Sequence, residues 1–113
     1  MNSKSIKWES LITSTFTGNT EITVATYNGR KISDYSAIVV MVSISGDDAR
    51  NTFIVPDQVF AQSTTRNFHI DTMSGVNGEN FHQNVFRYVN DTTVALKRSA
   101  GSIPYMEIFG LKY

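Results

Sequence analysis

Valine and isoleucine carry the apolar load of this chain. There are ten of each, against three leucines and six alanines, and twelve threonines bring the β-branched set to 32. Two heavy atoms on Cβ restrict χ1 in a helix but pack well on a pleated surface. Such a chain excludes a helical bundle and demands sheet. Its 113 residues supply one core, so 1–113 is read as a single domain.

Glycine and asparagine punctuate the chain at short intervals, as at Gly18-Asn19, Asn28-Gly29, Gly46-Asp47-Asp48, Asn77-Gly78 and Asn90-Asp91. These pairs suit turns that need positive φ. Between them apolar residues alternate with period two. Ile6, Trp8, Ile12 and Phe16 share one parity, and Ile22 and Val24 share another; both stretches predict half-buried strands. The stretch 36–45 is apolar on both parities, with Ile38, Val40, Val42 and Ile44 on one and Val39 and Met41 on the other. That predicts a central strand covered on both faces. A short strand over 51–55 is stopped by Pro56, and one helical turn follows. Phe68 and Ile70 mark the next strand. A bulge near Asn84 reconciles the split parity of 81–89. Val94 with Leu96, then 105–112, complete about eight strands. The spacing predicts an all-β, antiparallel two-sheet sandwich, jelly-roll-like.

Charge narrows the partners. Ten Lys and Arg balance ten Asp and Glu. A nucleic-acid binder displaces counterions with a net basic surface; Lys97-Arg98 is the nearest approach to one, so no nucleic-acid partner is expected. With no cysteine there is neither a disulfide nor a thiolate metal site. The polar opening Met1-Asn2-Ser3-Lys4-Ser5 reads as no signal peptide. The longest apolar run, 37–42, is too short to cross a bilayer, so no membrane insertion is expected.

Catalytic chemistry is hard to assemble. His69 and Asp71 share strand parity, but Glu79 and His82 stand at no diagnostic metal spacing. Ser74 could complete a triad with His69 and Asp71 only on paper, since Met73-Ser74-Gly75 is no nucleophile elbow. The turn around Asp47-Asp48 lacks the alternating oxygens and closing Glu of a calcium loop. No phosphate loop is present among the seven isolated glycines. The expectation is a protein that is not an enzyme and uses no cofactor. Aromatic residues with a polar tip, Trp8, Tyr27, Tyr88, Tyr105 and Tyr113, are candidates for stacking on a sugar or a partner.

Three stretches resemble a recurrent domain of tailed-phage and prophage virion proteins. Asp34-Tyr35-Ser36-Ala37-Ile38-Val39-Val40 is similar to the tyrosine, small residue and apolar run that lead into their central strand. Ile54-Val55-Pro56-Asp57-Gln58-Val59-Phe60 resembles a strand ending in Ile-x-Pro or Ile-Pro, then a short turn and a Phe. Met106-Glu107-Ile108-Phe109-Gly110-Leu111-Lys112 is similar to terminal aromatic-Gly-aliphatic strands. The resemblance spans roughly 6–113 and carries no catalytic residue. It implies a β-sandwich on a virion assembled in the host cytoplasm, at a fibre tip, baseplate appendage or decoration, with the C-terminal domain of a longer fibre protein among the placements it allows. It also implies a homo-oligomer, commonly a trimer, that meets other virion proteins or host-surface polysaccharide.

Two rivals stay open. A carbohydrate-binding module would need exposed Trp and Tyr in one plane, and a hydrolase would need His69 beside an acid and a nucleophile. For a glycan, the residues to watch are Trp8, Tyr88 and Tyr105, the loop residues Asn77, Glu79 and Asn80, and the cations Arg50, Arg66 and Arg98.

Overall fold

The computed structural model describes residues 6–15, 20–44, 49–74, 80–100 and 104–112. Among them run eight strands in two antiparallel sheets of four. Sheet A holds β1 (Lys7–Thr15), β8 (Pro104–Lys112), β3 (Ala37–Ile44) and β4 (Ala49–Pro56), in that order. Sheet B holds β2 (Ile22–Ala25), β7 (Thr93–Ala100), β6 (Asn80–Asn90) and β5 (Phe68–Ser74). The β1-β8-β3 and β2-β7 neighbours wrap as in a jelly roll. β3 and β4 stay together as a hairpin, and β5, β6 and β7 form a meander within one sheet.

Local sequence explains most of this. β3 lies between β8 and β4, as expected of a central strand, and Ile38, Val40 and Val42 are buried against sheet B. The expected cover on the second face is not found among the described residues, where Val39 is buried but Met41 is only half-buried. Pro56 ends edge strand β4, where a missing N–H is tolerated. One helical turn, α1 (Asp57–Phe60), follows it. β6 shifts register between Gln83 and Asn84, where its split apolar parity called for a bulge. Asn28 and Gly29 take φ of 53° and 66°, the left-handed turn that Asn-Gly favours.

β1 departs from simple alternation. Its register against β8 shifts between Ser10 and Ile12, and both Leu11 and Ile12 are buried. One extra residue exchanges the faces of everything on its far side. Ile12 therefore faces the core, while Ile6 and Trp8, on its own parity, are exposed.

Between the sheets, sheet A contributes Leu11, Ile12, Ile38, Val40, Val42, Met106 and Ile108 to the core. Sheet B adds Ile70, Phe86, Val94 and Leu96, and the connections add Ile32 and Phe60. Both open edges are bridged. Asn51 Nδ2 donates to the carbonyl of Asp71 at 2.7 Å, joining β4 to β5. Across the other edge Arg30 Nη1 donates to the carbonyl of Ser10 at 2.7 Å.

Candidate functional site

A sheet with one solvated face should carry polar side chains there. Sheet A does not. Residues that pair across antiparallel strands share a face, and Ile38, Val40, Met106 and Ile108 define the inner one. The opposite parity faces out. One outward row runs Trp8, Leu111, Ala37, Pro56; the next runs Ser10, Phe109, Val39, Ile54. Trp8 is 57% exposed and Ile54 60% exposed. Phe109 meets Trp8 edge-on with ring centroids 6.3 Å apart. Val39 is buried beneath its outward neighbours. The third row, Thr13, Glu107, Met41, Thr52, brings the first charge. Tyr105 lies one row further on, opposite Thr15 and Ser43, and is exposed.

Trp8 and Tyr105 thus share one face, at opposite ends of it. Arg50 falls in the same row as Tyr105 by register, and the remaining described candidates lie elsewhere. Tyr88 pairs with Val94 on the inner face of sheet B and packs against the core, its ring edge-on to Phe60 at 5.6 Å. Arg66 is exposed in the connection before β5, where Nη1 donates to Gln62 Oε1 at 3.0 Å. Arg50 sits in β4 opposite Ser43, and Arg98 is half-buried opposite Asn84. Asn80 opens β6 opposite Ser74. A loop over 72–80 is what the sequence predicts there, but β5 continues through Ser74, so strand replaces its first part. Asn77, Glu79 and Tyr113 lie outside the described residues.

The sequence reading missed Phe109, Leu111 and Ile54 as surface residues. The signal was present: 105–111, like 36–45, is apolar on both parities.

Three polar clusters lie off this face. The first sits over Gly110. Tyr35 Oη donates to Glu9 Oε2 at 2.9 Å, Arg30 Nε lies 3.7 Å from the same oxygen, and Lys112 Nζ stands 5.3 Å from the ring centroid of Tyr35. Burial, then the hydrogen bond to Glu9, pushes the Tyr35 phenol up to about 12. The second is buried in sheet B: Thr72 and His82 face each other across the strands, with Asn84 two positions on. Asn84 Nδ2 reaches the carbonyl of Ile70 at 3.4 Å. His69 instead lies exposed opposite Val85. Among the described residues no group of three His, Cys, Asp or Glu is placed to hold a metal ion.

The third cluster joins α1 to the turn after β6. Asp91 accepts from Ser33 N at 2.8 Å and from Ser33 Oγ at 2.6 Å. Asp57 Oδ1 is buried without a hydrogen-bond partner among the described residues. Burial first, and the Asp91 charge second, raise the Asp57 carboxyl above its ordinary 3.8. Burial and the same two carboxylates also raise the Tyr88 phenol. A carboxyl raised in the folded state resists ionising there, so its ionisation opposes folding. That penalty is absent below the ordinary value, grows as pH rises from it, and is complete above the folded-state value. Asp57→Asn is therefore expected to raise the melting temperature at pH 7 slightly, with the gain vanishing in acid. Thermal unfolding at the two pH values checks it; a variant less stable than the parent at pH 7 would refute the account.

Compared with known protein families, with curated proteins and with solved structures, the chain matches none of them.

Proposed function

We propose that this domain is a non-enzymatic structural module of a tailed-phage or prophage virion, on a fibre, appendage or decoration, and that it works by contact with neighbouring subunits. The observation that carries the reading is the outer face of sheet A, where Trp8, Leu111, Phe109 and Ile54 stand in adjacent rows. Exposed, contiguous apolar surface rimmed by polar residues marks an interaction site. The resemblance of 34–40, 54–60 and 106–112 to virion domains supplies the setting.

Deleting the coding sequence from the phage or prophage that carries it tests this. Particles that lack an appendage or subunit layer in electron micrographs, or that adsorb poorly, are expected. Intact virions with unchanged infectivity and adsorption would sink the proposal.

A second reading has its own support. Trp8 and Tyr105 are exposed on one face, the arrangement a host-surface polysaccharide or a carbohydrate-binding module would use. In this reading Trp8→Ala abolishes retention on immobilised capsular or cell-wall polysaccharide; unchanged retention, or none by the parent, removes it.

A further inference from the structure

We propose that the outer face of sheet A packs against the same face of a second copy of this chain, forming a two-fold pair. The inference rests on the subunit-contact reading above and names the subunit.

Charge argues for self-pairing first. In the four outward rows the register places two charged residues of opposite sign, Glu107 in the third row and Arg50 in the fourth. A face so poor in charge meets its own copy without like-charge repulsion, and depletion of charge marks the centres of protein interfaces. The outer face of sheet B differs. Arg87 lies on it, ion-paired with Glu21, and its Nη1 donates to the carbonyl of Thr64 at 2.7 Å. Lys97 and His69 are exposed on that face as well. Its apolar part is the smaller pair Met73 and Phe81 near the end of β5.

Area argues next. Four strands about 4.8 Å apart, each of eight or nine residues rising about 3.4 Å, give a face of roughly 500 Å². Two such faces remove about 1,000 Å² in all, the lower bound of a specific interface. An interface at that bound fits a weak, reversible pair.

Shape argues last. A two-fold axis along the strands lays β8 of one copy over β3 of the other. Phe109 then stands over Val39 and Leu111 over Ala37, large against small, while Trp8 of β1 reaches Pro56 of β4. Facing sheets pack about 10 Å apart at about −30°, which such pairs fill. A three-fold ring instead needs two different complementary patches on each subunit, whereas one self-complementary face closes with a two-fold.

Trp8 is the single tryptophan, so its emission reports on this face directly. Across about 1 μM to about 1 mM protein, light scattering should show a monomer giving way to a dimer. Trp8 emission should shift to the blue over the same range. Ile54→Lys places a charge in the second row and should raise the dissociation constant at least about tenfold, with far-UV circular dichroism unchanged. Met73→Lys, on sheet B, should leave pairing intact. Should Ile54→Lys fail to fold, Ile54→Thr and the parent's own emission still decide the matter. A monomer throughout, a trimer, or a dimer whose Trp8 emission stays red overturns the pairing. So does a monomer whose emission moves only on adding polysaccharide, which assigns the face to glycan. None of these results alters the outcome of the deletion experiment, so the pairing and the virion reading fail separately.

Discussion

Phe86→Ala is expected to cost about 4 kcal/mol of stability, a large part of the total margin of a domain this size. Phe86 is fully buried on the inner face of sheet B. Its ring is stacked on Phe68 with centroids 5.3 Å apart, and Phe53 and Phe60 each lie 5.8 Å away. Phe60 comes from α1 and Phe53 from sheet A, so one side chain joins both sheets and a connection. Truncation would remove a large buried area and leave a cavity that three rings held on separate elements cannot collapse into. Urea unfolding followed by circular dichroism measures the loss. Phe86→Leu should cost clearly less, and equal losses for the two variants would show that the cavity is not the cause.

Gly110→Ala should be nearly as damaging, at about 2–3 kcal/mol, for the opposite reason. A Cβ on Gly110 would lie 2.3 Å from Cδ1 and 2.4 Å from Cγ of Tyr35. The ring lies against the glycine, held by its hydroxyl on Glu9, and it has to move for a methyl group to enter. Moving it breaks that hydrogen bond and shifts the cation of Lys112 off the ring. The decisive measurement is a double-mutant cycle. In a Tyr35→Ala background the same Gly110→Ala change should cost little, because the clash has gone. An unchanged cost in that background would place the damage in the strand and not under the ring.

Strand identity was legible because it depends on near neighbours. The both-parity apolar run of β3, the Asn28-Gly29 turn, Pro56 at a strand end and the bulge at Asn84 are all written within a few residues of where they act. The faces of β1 and β8 were harder to read. Leu11-Ile12 satisfies either parity, so nothing local says that a bulge turns Ile6 and Trp8 outward. In β8, Met106 and Ile108 on one side and Phe109 and Leu111 on the other are equally apolar, and only the opposing sheet decides which side is core. The Tyr35–Gly110 contact joins positions distant in sequence and leaves no periodic trace. Of the candidate site, Trp8 and Tyr105 were found from residue type alone. Tyr88 has the same chemistry, but its position opposite Val94 draws it into the core.

The pairing of β1 with β8 also governs when this fold becomes available. Trp8 finds Leu111 only across nearly the whole chain, and β8 is the strand that joins β1 to β3. Closing so long a loop is entropically expensive and is repaid only when the ladder forms. The β5-β6-β7 meander, by contrast, needs only neighbouring segments. The β5-β6-β7 meander and the β3-β4 hairpin can therefore form from near neighbours, while β1 and β2 must wait for β8 and β7 before either sheet is complete.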